Sequence, residues 1–135
     1  MIEFEYINTS KVDNLAKYKQ WVKGIILEEN KKEGDIVFVF CNDEYLLKKN
    51  IQFLNHDTYT DVITFDYCSD SIINGDIFIS TERVKENAKN LEVDFFNELN
   101  RVMVHGLLHL LGYKDKTELD AKLMREKEDF YLLRY

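Results

Sequence analysis

The sequence contains no proline and only five glycines, and it shows neither an internal repeat nor a low-complexity tract. Repeat arrays and composition-biased linkers are thereby excluded. Two cysteines, Cys41 and Cys68, form no CxxC spacing and are too sparse for a disulfide scaffold, so they read as buried thiols in a reducing compartment. No segment approaches the roughly 18 to 20 uncharged apolar residues of a membrane span, and the opening MIEFEYINTS lacks the basic start and apolar run of a secretory signal. The expectation is a cytoplasmic protein with no membrane role. Positive charge is scarce as well: 18 Lys and Arg against 25 Asp and Glu leave a net charge of −7. This argues against a grip on nucleic acid through bulk positive field, although it permits a locally basic groove.

Apolar residues, by contrast, make up 45% of the 135 positions and aromatic residues 13%, ample for one well-packed core, so a single domain spanning 1–135 is expected. Ile2, Phe4 and Tyr6 alternate with Glu3 and Glu5, the pattern of a half-buried strand. Leu15, Tyr18, Val22, Ile25 and Ile26 share one face of a helix, with Ser10 or Asp13 as N-cap and Gly34 a little past the end. The run Ile36 to Phe40 suits a strand buried on both faces. Asn42 or Asp43 can cap a helix carrying Leu47, Ile51 and Leu54, and the polar stretch from Leu54 to Asp61 reads as a loop.

VITFDY then forms a strand, CSDSIING a hairpin connection ending at Asn74-Gly75, and DIFIS the returning strand. Thr81 starts a short helix that ends near Asn90. Asp94 caps the longest apolar helix, which Gly112 ends by taking the left-handed conformation. TELD opens a final amphipathic helix through Leu119, Leu123, Met124 and Phe130. Four strands and about five helices in this order predict an α+β fold, one small mixed sheet covered by helices.

The longest helix carries the chemistry. In HGLLHLLGYKD, His105 and His109 stand four residues apart, so their rings lie one above the other on one helix face and can converge on a point. Gly112 lets the chain fold back, and Asp115 follows within reach of both rings. Two imidazoles and a carboxylate are the donor mixture of catalytic zinc sites, in which a fourth position stays open for a water whose pKa falls to about 7. A histidine on an apolar face is commonly a hydrogen-bonded core residue. Here the placed glycine and the carboxylate beyond it favour ligation, since unpaired imidazoles are costly to bury. The spacing equals that of the extended zinc-peptidase motif, but Gly106 stands where peptide hydrolysis requires a glutamate base. A protease is therefore disfavoured.

The same residues resemble the YbeY-type endoribonucleases, also called rRNA maturation factors, whose signature is close to H-G-x-L-H-L-x-G-Y-D-H. His105, Gly106, Leu108, His109, Leu110, Gly112 and Tyr113 match it. TDVITF (Thr60 to Phe65) and GDIFIS (Gly75 to Ser80) are similar to two further family blocks, so the resemblance covers nearly the whole chain.

It implies a zincin-like domain with a metal-binding central helix, and one zinc ion (Zn2+) per chain. It also implies cleavage of single-stranded rRNA during small-subunit maturation and ribosome quality control, with the ribosomal small subunit or an assembly factor as partner and no DNA. Three positions depart from the pattern, the first being Lys114, which stands where the family has Asp. Asp115 stands in place of the third histidine ligand, an oxygen donor that admits manganese more readily than a third imidazole would. Leu54 stands where family members often carry an Arg, for which Lys48, Lys49 or Arg101 are substitutes to test as phosphate contacts. His56 and Asp61 are further candidates for the cleft, the latter as a proton acceptor; no catalytic base is assigned. The competing expectation is a ribosome-assembly binding protein whose metal is structural, with His56 as a fourth ligand.

Overall fold

The computed structural model describes residues 1–56 and 58–135; Asp57, inside the loop expected from Leu54 to Asp61, lies outside them. Along the chain run β1 (Ile2–Ile7), α1 (Leu15–Glu28), β2 (Lys32–Cys41), α2 (Asp43–Leu54), β3 (Val62–Asp66), β4 (Ile72–Ser80), α3 (Thr81–Leu91), α4 (Phe95–Leu110) and α5 (Glu118–Leu132). This is the expected α+β fold. The strands form one mixed sheet in the order β1-β2-β4-β3, with β1 and β4 parallel to β2 and β3 antiparallel to β4.

β2 is central and covered on both faces, which is why its sequence is a continuous apolar run. Ile36, Phe38 and Phe40 face one layer with Ile77 and Ile79 of β4, packed with Trp21, Val22 and Ile25 of α1, Leu107 of α4 and Met124 of α5. Val39 and Cys41 face the other layer with Phe78, Ile63 and Leu46 of α2. The helix that carries the histidine pair, α4, buries ten residues, among them Leu99, Val102, Val104, Leu107 and Leu108. Asp94 caps it by accepting the Phe96 N–H at 3.1 Å. No helix of the described residues is long and apolar enough to cross a membrane.

Several local expectations give way to tertiary context. α1 begins at Asn14 in the left-handed conformation with no side-chain cap, rather than at Ser10 or Asp13, and the chain leaves it through Asn30, also left-handed. Gly34 sits inside β2, at an irregularity in the pairing with β4 between Glu33 and Ile36. Asn74 and Gly75 lie within β4 rather than in a turn, and the Asn74 carboxamide oxygen accepts the Asp35 N–H at 2.7 Å, stitching that irregularity. The reversal is made at Asp70-Ser71, between Ser69 and Ile72, with Asp70 at φ 54°.

Two helix faces also turn differently. α2 buries Leu46 and Asn50 and leaves Ile51 and Leu54 exposed. α5 buries Met124, Glu128 and Tyr131, while Leu119, Leu123 and Phe130 face out. An apolar count cannot find a stripe whose middle residue is a carboxylate.

Candidate metal centre

His105 and His109 project from α4 toward one point, as their spacing requires. The chain that follows brings Asp115 to the same point. Gly112, at φ +101°, reverses the backbone after α4, and the Tyr113 N–H returns to the Leu108 carbonyl at 3.0 Å. The Asp115 Oδ2 then lies 3.3 Å from the Nε2 atoms of both His105 and His109, which are themselves 3.1 Å apart. A tetrahedral ion with bonds of roughly 2.0–2.1 Å spaces its ligands about 3.3 Å apart, so this triangle fits one metal ion without rearrangement.

The far nitrogens fix the chemistry of the near ones. His109 Nδ1 lies 3.1 Å from the Tyr113 carbonyl, which can only accept, so Nδ1 donates and the neutral ring presents a bare Nε2. His105 Nδ1 lies 2.7 Å from Glu128 Oε2 and donates to that carboxylate in the same way. Two ring nitrogens and a carboxylate oxygen closing on one point form a donor set suited to a cation. His105, His109 and Asp115 could hold a metal ion there.

Glu128, a buried residue of α5, is tied further by Arg101, whose Nη1 donates to its Oε1 at 2.8 Å while Nη2 donates to Asp129 at 2.7 Å. Burial pushes the Glu128 carboxyl up, yet the bonds from His105 and Arg101 outweigh it and hold the group below its ordinary value. Burial likewise lowers the His105 imidazolium, but the bond and charge of Glu128, with Asp115 and Asp61 behind, raise it overall. Neither Glu128 nor the Tyr113 carbonyl was legible as part of the site from the sequence. Glu128 lies 23 positions from its partner, and nothing local marks it.

A cleft of about 380 Å³ opens on the cluster, lined by Asp61, Glu98, Arg101, His105, Asp115 and Arg125 among others. Asp61 is thus brought to the site, its carboxyl raised chiefly by burial. Its backbone carbonyl accepts the Ser80 N–H at 3.0 Å, which fixes the entry to β3. His56 is exposed and stands outside the cluster, so it is no fourth ligand. Lys48 pairs with Glu44 and Lys49 lies over the rings of Tyr45, Phe53 and Phe78; neither lines this cleft. Arg101 does line it, but its guanidinium is already engaged. Gly106 faces the sheet: a Cβ there would come within 2.7 Å of Ile77 Cγ2, so the peptidase glutamate has no room at this position.

The model of the endoribonuclease YbeY family matches residues 3–135. The chain belongs to that family. It is 52% identical to the endoribonuclease YbeY of Flavobacterium johnsoniae over 129 residues, covering 96% of this chain and 93% of the relative. With the family member of Flavobacterium psychrophilum it shares 54% over 129 residues, 96% and 92% of the two chains. Its fold is similar to the solution structure of a Thermotoga maritima protein, with a TM-score of 0.68 at 28% identity over 96% of this chain and 86% of that one. In this chain His105 and His109 stand on the buried central helix α4, with Asp115 completing the triangle.

Proposed function

We propose that the chain is a zinc-dependent, single-strand-specific endoribonuclease acting in the cytoplasm in small-subunit rRNA maturation and ribosome quality control. Residues 1–135 act as one hydrolase domain, with His105, His109 and Asp115 as the metal ligands. The observation that carries this reading is the donor triangle of 3.1–3.3 Å, with both Nδ1 protons held away from it, in a member of an endoribonuclease family. When bound, a divalent ion supplies Lewis acidity toward a phosphoryl oxygen and acidifies its water.

The chain's own residues do the rest. Glu128 and the Tyr113 carbonyl hold the two rings in the ligating tautomer. Asp61, with its carboxyl raised by burial, lines the cleft where a proton must be accepted or returned. The carboxylate ligand widens the choice of metal, and manganese is the alternative ion. Both cysteines are free thiols, in keeping with a reducing compartment. Because phosphate affinity grows with the number of Lys and Arg contacts, a chain of net charge −7 grips free RNA weakly, and the ribosomal small subunit or an assembly factor presents the strand in the cell.

The test is cleavage of single-stranded RNA by the purified protein, with zinc or with a chelator, beside Asp115→Ala. Cleavage is expected only in the zinc-loaded wild type. Equal cleavage in all three samples would expose a contaminating nuclease, and metal uptake without any cleavage would favour a structural ion in a binding protein.

A further inference from the structure

The cleft beside the metal triangle has an anion problem. Among the described residues, four carboxylates line it, those of Asp61, Glu98, Asp115 and Glu128, against two guanidiniums, those of Arg101 and Arg125. Arg101 is spent on Glu128 and Asp129. Arg125 makes no hydrogen bond or ion pair among the described residues, although it faces Glu98 closely enough to act on that carboxyl. Burial and the charge of Asp61 hold the Glu98 carboxyl above its ordinary value.

Placement completes the case. Ala121, Arg125 and Glu128 follow one another at helical spacing on the face of α5 that closes the cleft. Arg125 therefore stands one turn before the carboxylate that orients His105. A guanidinium offers five donors in a planar fork that matches two phosphate oxygens at once, and a free one at the rim of a cleft is set for that contact.

We propose that Arg125 is the substrate-positioning residue of this cleft, binding a backbone phosphate of the RNA strand next to the one that lies over His105, His109 and Asp115. This rests on the nuclease reading above. The contact is made alike in ground and transition states, so its loss raises KM more than it lowers kcat.

The test is the affinity of the zinc-loaded full chain for a short fluorescent 2′-O-methyl oligoribonucleotide, read by anisotropy between roughly 50 and 200 mM salt. It is run beside cleavage of the unmodified RNA. Arg125 is exposed, so Arg125→Ala should melt like the wild type. It is expected to bind about ten- to a hundredfold more weakly, the range of a lost charge-assisted hydrogen bond. Its log–log salt slope should be shallower by about 0.7, one single-strand phosphate contact. Arg125→Lys should recover the slope but only part of the affinity, and Lys122→Ala, an equal charge change on α5 away from the cleft, should do less than Arg125→Ala.

Binding by Arg125→Ala that matches the wild type, equal losses in Lys122→Ala, or no binding by the wild type would each overturn the proposal. A wild type that binds through Arg125 yet cuts nothing would instead overturn the nuclease reading and leave this phosphate contact standing.

Discussion

A histidine ligates best when a partner holds the proton on its far nitrogen, and at His105 that partner is Glu128. Replacing it with Gln keeps the shape but removes the charge that stabilises the Nδ1–H donor and engages Arg101. Glu128→Gln is predicted to lower zinc affinity about tenfold to a hundredfold, measured by competition with a chelating dye; an unchanged affinity would contradict the role assigned to it. Gly106 acts through space rather than chemistry. Alanine would favour the helix by about 1 kcal/mol, but its Cβ meets the buried Ile77 side chain, and overpacking costs about 1–3 kcal/mol. Gly106→Ala is predicted to lower the thermal midpoint, and a raised midpoint would show that α4 and β4 yield freely.

At this scale the sequence discloses the grouping of His105, His109 and Asp115, because helical spacing and a reversing glycine are local facts. Glu128, the Tyr113 carbonyl and Arg125 are not disclosed, since their roles exist only after α5 docks on α4.

Among elements, Glu29 at the end of α1 does the tying. Its carboxylate accepts from the Tyr113 hydroxyl at 2.6 Å, from the Tyr131 hydroxyl, and from Lys127 Nζ at 3.2 Å, so it joins α1, the loop after α4 and α5. Burial alone would raise this carboxyl, but the two hydroxyls and Lys127 outweigh it and hold it below the ordinary 4.5. A depressed carboxyl contributes stability that is fully present above its unfolded value and is lost as pH falls through the folded one. Glu29→Gln is therefore predicted to be less stable at neutral pH and to lose less stability than the wild type on acidification below about pH 4.5, read from urea midpoints across pH. Parallel curves would remove Glu29 from the account.

Element boundaries follow the same division between local and tertiary causes. The caps at Asn42, Asp94 and Thr117 are legible because each is a side chain bonding an N–H two or three residues on. The start of α1 and the inward faces of α2 and α5 are not, because packing across the sheet and a buried carboxylate decide them. Asn74-Gly75 carries a strong turn signal that β4 overrides by using the asparagine to bridge to β2.

For the molecule as a whole, the fold and the candidate metal centre are one construction. The sheet fixes α4, α4 presents the rings, the turn at Gly112 returns Asp115, and α5 covers the far side with Glu128. Sequence reading reached the architecture and the donor set through two periodicities and one motif. Of the cleft it reached Asp61 and Arg101 but not Glu98, Arg125 or Glu128, because the packing of β3, α4 and α5 brings those side chains together.

Calorimetric titration of the metal-stripped protein with zinc tests this construction most directly. One ion per chain is predicted for the wild type, with uptake at that site lost when His105, His109 and Asp115 are all replaced by alanine. No uptake by the wild type, or the same stoichiometry and affinity in the triple variant, would contradict it.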